Sequence, residues 1–277
     1  MLNGVMLLWF ILTAISVVFV AADIRKTPES KVLKWGFILL TLYTGPFGAF
    51  LYVLGCREPL AGLHERFVAV RWRQVLGSTM HCVAGDGVGI LVGAVIGSVL
   101  SLAMLADIAL EYVLGFGFGW TIFQALFMKD TAGGSYLRAL HNTFIPELLS
   151  MNCLMAAMVP VAAIAKADVP GSESPLSAAF WFIMSMALLA GFIAAYPMNW
   201  WLVSNHLKHG MMTVRPKKSN ADQGKEDGGH EMDMGPGEAS HGGMASSPVS
   251  TFKILQMTVL SFAVLAVGIG IALAFNG

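Results

Sequence analysis

LNGVMLLWFILTAISVVFVAA, residues 2–22, is an apolar run of the kind that decides the fold. An α-helix needs about 20 mostly apolar residues to cross about 30 Å of hydrocarbon. Similar runs recur along the chain without the period-two alternation of a membrane β-barrel. The sequence therefore predicts an all-α, polytopic helical membrane bundle of about seven transmembrane helices, at residues 2–22, 35–55, 80–105, 108–128, 144–165, 177–203 and 253–275.

The composition excludes two broad classes of function. Hydrophobic residues make up 56% of the chain and charged residues 12%, whereas soluble domains have roughly 45–50% and 25%. An ordinary soluble enzyme is therefore excluded. Lysine and arginine number 17, as do aspartate and glutamate, so no net charge attracts nucleic acid and no such partner is expected. The expected partner is the lipid bilayer.

The apolar runs and the stretches between them divide the chain into five parts. One stretch mixes apolar and arginine residues in a roughly helical period, which is typical of an amphipathic interfacial segment. Another is rich in Gly, Ser, Lys, Asp, His and Met without periodicity, which predicts disorder. The parts are two transmembrane helices at 1–56, the interfacial segment at 57–79, a four-helix membrane core at 80–212, the disordered His/Met-rich linker at 213–251 and a C-terminal transmembrane helix at 252–277.

The orientation in the membrane is contested between two signals. With seven spans, the even-numbered loops hold most of the Lys and Arg, which favours a cytoplasmic N-terminus. The first helix, however, has its only basic flank on its C-terminal side, which favours the reverse. We follow the loop totals of Lys and Arg and expect a cytoplasmic N-terminus.

A ridge of small residues follows one face of the third span. Glycines at four-residue spacing lie on the same face of a helix and let another backbone approach closely. We expect the ridge to pack helices, and it also offers contact to a second copy of the chain or to a partner in a membrane complex. The ridge is Gly85, Gly89, Gly93 and Gly97.

Three potential metal ligands stand at the start of that span: His81, Cys82 and Asp86. Imidazole nitrogen, thiolate sulfur and carboxylate oxygen are the usual ligands of transition metals in proteins. Ionisable residues inside a span are costly and point to function. The alternative is that Asp86 is solvated at a helix end while His81 lies at the lipid headgroups.

Further polar groups lie within or beside the apolar runs. Asp107 and Glu111 are one helical turn apart, so they either share a proton or a cation or are simply solvated at a helix N-terminus. His206 and His209 follow the sixth span and are either metal ligands or interfacial residues. The remaining polar intramembrane candidates are His141, Glu147, Asn152, Cys153 and Asn199.

The linker between the sixth and seventh spans carries histidines and methionines in a glycine-rich setting. Thioether and imidazole groups suit copper, and a flexible chain can wrap the ion without a preformed pocket. The alternative is that methionine is simply frequent in this chain, at 17 residues. The candidate ligands are His230, Met232, Met234, His241 and Met244.

Known catalytic signatures such as GxSxG, HExxH, a Walker loop or a haem-attachment CxxCH do not occur in the sequence. A role other than enzyme is therefore favoured, and no catalytic residue is assigned. We expect a membrane protein that binds a transition metal, copper first, and transports or buffers it. The alternatives are an assembly subunit of a membrane complex without its own chemistry and a metal-dependent membrane oxidoreductase.

Four stretches carry a family resemblance. They are HCVAGD at 81–86, the stretch 116–129 with its Phe-Gly-Trp-x-x-x-Gln run, SPLSAAFWFIMSMALLAGF at 174–192 and YPMNWWLVSNHLKHGM at 196–211. From residue 81 to residue 212 the chain resembles the bacterial membrane family called domain of unknown function 4396. The resemblance implies a helical membrane domain without an established activity, located in the bacterial inner membrane.

Overall fold

The fold is helical throughout the part of the chain that the structure describes. A computed structural model describes residues 2–58, 60, 62–128, 135–210 and 249–276, and these contain no strand. The all-α class is therefore confirmed. The helices are α1 (Leu2–Asp23), α2 (Lys31–Thr44), α3 (Pro46–Gly55), α4 (His64–Val68), α5 (Arg71–Val99), α6 (Met104–Phe118), α7 (Ala125–Met128), α8 (Tyr136–Asp168), α9 (Ala178–Ser204) and α10 (Thr251–Asn276), and a π-helical segment, Gly119–Gln124, joins α6 to α7.

The described residues contain six helical stretches that are long and apolar enough to cross a membrane. The bundle is built around α5 and α8, which are the most buried of them, while α1 and α10 lie at its edge. Side chains on the edge helices such as Val18 and Val267 are more than half exposed, as expected for a lipid-facing surface. The chain is therefore a multi-pass membrane protein, with spans at Leu2–Lys26, Arg71–Val99, Met104–Gln124, Tyr136–Asp168, Ala178–Ser204 and Thr251–Phe275.

The second predicted span, residues 35–55, is two short helices rather than one long one. α2 has 14 residues and α3 has 10, so at 1.5 Å per residue they extend about 21 Å and about 15 Å. Neither is long enough to cross about 30 Å of hydrocarbon. The break falls at Gly45, whose φ of 59° lies in the left-handed region that glycine adopts without a Cβ clash.

Both ends of this α2–α3 pair lie at the same end of the bundle. The Tyr52 hydroxyl near the end of α3 donates to Asp23 Oδ2 over 2.8 Å, and Arg57 Nε donates to the same oxygen over 2.9 Å. The ring of Tyr52 also lies 5.6 Å from that of Phe37 in α2. Since Asp23 ends α1 only eight residues before Lys31 begins α2, α3 folds back along α2.

The α2–α3 pair is therefore a re-entrant hairpin. Backbone at membrane depth must be enclosed by protein, because hydrocarbon offers no hydrogen bonds. The turn at Gly45 meets this requirement by packing against Trp9 and Thr13 of α1, while the Ser185 hydroxyl of α9 donates to the Tyr43 carbonyl oxygen. The expected seven spans are thus six spanning helices and one hairpin.

The predicted interfacial segment, residues 57–79, also differs from the structure. It contains the short helix α4 and the first turns of α5, which begins at Arg71 rather than near residue 80. Val75 is fully buried and Leu76 nearly so, so these turns belong to the bundle. Arg73 fixes the corner by donating to the carbonyl oxygens of Leu54 and Phe67. The four-helix core accordingly starts about nine residues earlier than predicted.

The hairpin changes the distribution of positive charge. Because α2 and α3 start and finish at one end of the bundle, all the described lysines and arginines except Lys166 gather where α1 ends and α5 begins. We call this the basic end. Basic residues flanking spans stay in the cytoplasm. The structure therefore favours a cytoplasmic basic end and an N-terminus on the other side, the reverse of the orientation expected with seven spans.

This orientation predicts which positions react with a membrane-impermeant maleimide in intact cells. We expect labelling of single cysteines at Asn3→Cys and at the fully exposed Leu176→Cys, both at the end opposite the basic end. Lys31→Cys and Arg66→Cys should react only after permeabilisation. Labelling of Lys31→Cys together with protection of both Asn3→Cys and Arg66→Cys would restore the seven-span arrangement.

Candidate functional site

The glycine ridge brings α5 against α6. A Cβ added to Gly89 would lie 2.7 Å from Gly115 Cα, and one added to Gly93 would lie 2.8 Å from Glu111 Cα. Such an approach of two backbones is what small residues permit in membrane helices. The ridge therefore packs within this chain, and its other two glycines, Gly85 and Gly97, make room for the side chains of Phe123 and Asp107.

A cluster of polar side chains lies beneath the basic end, among α5, the π-helical segment, α8 and the residues after α9. Its centre is Cys82 Sγ, which accepts hydrogen bonds from Gln124 Nε2 over 2.8 Å and from Lys208 Nζ. The thiol donates to Glu147 Oε2 over 3.1 Å, and Lys208 Nζ donates to the same oxygen over 3.2 Å. Together with Asp86, these residues form what we call the core cluster.

Asp86 adds a second carboxyl group to the core cluster. Its side chain is fully buried, and its carboxyl group lies within hydrogen-bonding distance of the Glu147 carboxyl group. It lies beside Gly119, as does Glu147 Oε1. A Cβ at position 119 would overlap Asp86 Oδ1, so the first residue of the π-helical segment must be glycine for the two carboxyl groups to meet there.

Lys208 reaches the core cluster from outside the spanning part of α9. The backbone leaves α9 through His206, with a φ of 56°, and the N–H groups of Leu207 and Lys208 both donate to the Leu202 carbonyl oxygen. The Lys208 side chain is only 4% exposed. Burial lowers the pKa of this lysine, but the Cys82 sulfur and the Glu147 carboxyl raise it more, so the net shift is above the ordinary value. The core cluster therefore holds a buried ammonium group between sulfur and carboxylate.

A cavity opens beside Lys208 at the basic end. Its volume is about 300 Å³, and we call it the Lys208 cavity. The predicted candidates His206 and His209 both line it, together with Gln74 and Ser204. The core cluster thus lies one side chain away from an opening at the basic end.

A second cavity, of about 380 Å³, lies at the opposite end of the bundle. Asp107, Glu111, Glu173 and Lys166 line it, and we call it the Glu111 cavity. Glu111 is only 6% exposed. Asp107 Oδ1 is buried without a hydrogen-bond partner in the described residues and fills the space that the missing side chain of Gly97 leaves. The predicted pair Asp107 and Glu111 therefore faces a cavity with more acidic than basic groups.

Polar groups also lie between the two cavities. The Tyr112 hydroxyl donates to Asn152 Oδ1 over 2.6 Å, and Asn152 Nδ2 donates to Ser261 Oγ over 3.0 Å. The predicted candidate Asn152 therefore ties α6, α8 and α10 together at mid-membrane. It is fully buried, and its contacts are those of a packing residue with satisfied hydrogen bonds.

The predicted trio His81, Cys82 and Asp86 does not converge on one point. His81 Nε2 lies 3.0 Å from the Phe123 carbonyl oxygen, whereas Cys82 faces Lys208 and Glu147. Neighbouring residues on a helix point about 100° apart, which explains the divergence. In the described ranges no group of three or more His, Cys, Asp and Glu side chains is placed to hold a metal ion.

The remaining candidates occupy different environments. His141 is exposed on α8. Cys153 packs against Leu149 and Leu202. Asn199 Nδ2 donates to Ser150 Oγ over 2.9 Å. Both residues therefore pack helices together. The linker ligands lie outside the described residues: His230, Met232, Met234, His241 and Met244.

Sequence reasoning missed two members of the core cluster. The sequence assigns no site role to Lys208 or Gln124. Lys208 lies in the stretch 196–211 and Gln124 in the stretch 116–129, and the family resemblance of these stretches is the one sequence signal that includes the two residues. Their role depends on contacts with Cys82 that join positions 42 and 126 residues apart in the chain, and no local pattern reveals such contacts.

The family comparison covers the region that holds the core cluster. The model of the family described as Domain of unknown function (DUF4396) matches residues 71–208. The match begins with the first residue of α5 and ends at Lys208, so it includes every member of the core cluster. No curated protein and no solved structure matches the chain. Residues 71–208 of this chain are therefore similar to the DUF4396 family, as the sequence stretches predicted.

Proposed function

We propose that the protein carries a small cation across the bilayer and that the core cluster is its central site. The observation behind the proposal is the order of ionisable groups along the bundle. Asp107 and Glu111 face a cavity at one end, Asp86 and Glu147 lie deep inside, and Lys208 borders a cavity at the other end. Ionisable side chains inside membrane helices mark ion or proton pathways by default, because burying them is costly.

The spacing of residues along α6 and into the π-helical segment supports a single path from the Glu111 cavity to the core cluster. Positions 107, 111, 115 and 119 follow each other at four-residue intervals and so share one helix face. Acidic side chains occupy the first two positions, and glycines leave room at the next two. Ile90 and Met151 fill that room beside Gly115, and both are fully buried. The path is thus closed by an apolar layer, as alternating access requires of a transporter in any one state.

The sulfur of Cys82 indicates the kind of cation. Thiolate is a soft ligand and favours Cu(I) over the hard cations that carboxylates alone select. We therefore propose a transition metal as cargo, with copper as the first candidate. The His and Met residues at 230–244 would serve as its capture arm. The helical spans are consistent with the bacterial inner membrane as the location, since bacterial outer-membrane proteins are typically barrels.

Copper uptake into proteoliposomes tests the proposal. We expect wild-type protein to accumulate Cu(I), and Cys82→Ser to lower the initial rate by about tenfold or more, because the only sulfur of the core cluster is lost. Cys153→Ser is the matched control, since that thiol lies buried on α8 away from the core cluster. Wild-type vesicles without copper uptake, or equal rates for Cys82→Ser and wild type, would contradict the proposal.

Proton passage is a second candidate. It is favoured because the described residues hold no three-ligand metal group, while Asp86 and Glu147 lie side by side. The same vesicles, loaded with a pH-sensitive dye and free of copper, would then show a proton flux that Asp86→Asn abolishes. The expectations of an assembly subunit and of a metal-dependent oxidoreductase stay predictions.

A further inference from the structure

We infer that Lys208 is a tethered cation that holds the cargo's place in the core cluster, and that the cargo binds by displacing its ammonium group toward the Lys208 cavity. This inference rests on the proposed function.

The ammonium group of Lys208 occupies the position that a bound cation would take. The ammonium group donates to both Cys82 Sγ and Glu147 Oε2. These are the soft and the charged acceptor of the core cluster, and a metal ion would need the same two atoms. Since one lysine already contacts both, a cation arriving from the Glu111 cavity finds its ligands occupied.

The charges of the core cluster balance with one cation present. A positive ion that entered beside Lys208 would put two like charges in one buried space, where repulsion is far stronger than in water. Without any cation, the two carboxyl groups of Asp86 and Glu147 would face each other uncompensated. The core cluster is therefore suited to one cation at a time, either the tethered one or the mobile one.

The cavity beside Lys208 can receive its displaced ammonium group. Lys208 already lines the Lys208 cavity, which offers about 300 Å³ next to Ser204 and Gln74. A lysine side chain is flexible along four carbons, so the ammonium can swing out while the backbone hydrogen bonds to Leu202 stay in place. Displacement requires no movement of the spanning helices.

Cu(I) binding to the purified full-length protein tests the inference, by competition with a chromophoric Cu(I) chelator. We expect Lys208→Leu to bind Cu(I) about tenfold or more tightly than wild type, because the resident charge is gone and leucine adds no ligand of its own. Lys208→Arg keeps the charge and should not show the gain. Lys166→Leu removes a lysine from the Glu111 cavity and is the matched control, with unchanged affinity expected at the core cluster.

The outcomes separate this inference from the proposed function. Lys208→Leu affinity no higher than wild type, while Cys82→Ser still weakens binding, would overturn the tethered cation and leave the cation site standing. Cu(I) binding unchanged by Cys82→Ser would overturn both. Lys208→Gln repeats the measurement if Lys208→Leu does not fold, since glutamine keeps hydrogen-bond donors for Cys82 and Glu147 without the charge.

Discussion

Glu147→Gln is expected to lower the free energy of unfolding by about 3–5 kcal/mol, the usual effect of removing one partner of a buried ion pair. The Glu147 side chain is fully buried and that of Lys208 is 4% exposed, so an ammonium group that stays in the core cluster loses its ion-pair partner without gaining water in its place. Thermal or detergent-induced unfolding of the purified protein, followed by circular dichroism, measures the change.

Two controls make this prediction specific. Arg57→Met breaks the pair with Asp23, whose side chains are 47% and 24% exposed, and exposed pairs contribute less than about 1 kcal/mol. The double variant Glu147→Met/Lys208→Met removes both charges and should recover part of the loss, because no uncompensated charge is left. A single variant as stable as Arg57→Met would show that the buried pair does not hold the helices together.

Gly89→Ala is expected to destabilise the protein by about 1–3 kcal/mol, the range for overpacking a close contact. The added methyl group would overlap the Leu114 carbonyl and lie 2.7 Å from Gly115 Cα. These are backbone atoms of α6, so no side chain can move aside, and α5 and α6 must separate.

Gly117→Ala is the matched control for Gly89→Ala. It is also a helical glycine, two residues from the π-helical segment, but an added Cβ has nothing within 4 Å. Alanine is favoured over glycine in a helix by about 1 kcal/mol, so this variant should be as stable as wild type or more stable. Equal stability of the two variants would contradict the close helix contact.

The broad fold could be predicted from the sequence because a span is a local property. Length and apolar character alone identify α1, α5, α6, α8, α9 and α10. The hairpin could not be identified in this way. Residues 35–55 have the length of a span, and only the Gly45–Pro46 break hints at a turn. What makes it a hairpin is the contact of Tyr52 and Arg57 with Asp23.

The candidate site could be predicted only in part, for a related reason. Cys82, Asp86 and Glu147 stood out as polar residues in apolar runs, because burial of such groups needs an explanation wherever it occurs. His81 and Cys82 are neighbours in the sequence, but on a helix their side chains point in different directions. Cys82 instead contacts Glu147 and Lys208, which are distant in the sequence. Lys208 stands in a basic flank, where a lysine normally faces water, and only the return of the chain after α9 buries it.

The packing of the Gly45 turn also bears on the order in which parts of the chain can fold during synthesis. Ser185, whose hydroxyl holds the turn at Tyr43, follows it by 142 positions. During synthesis the apolar stretch enters the bilayer long before that hydroxyl exists. The hydrogen bond that α9 gives to the turn can therefore form only after α9 has been inserted, and a chain truncated before α9 would lack it.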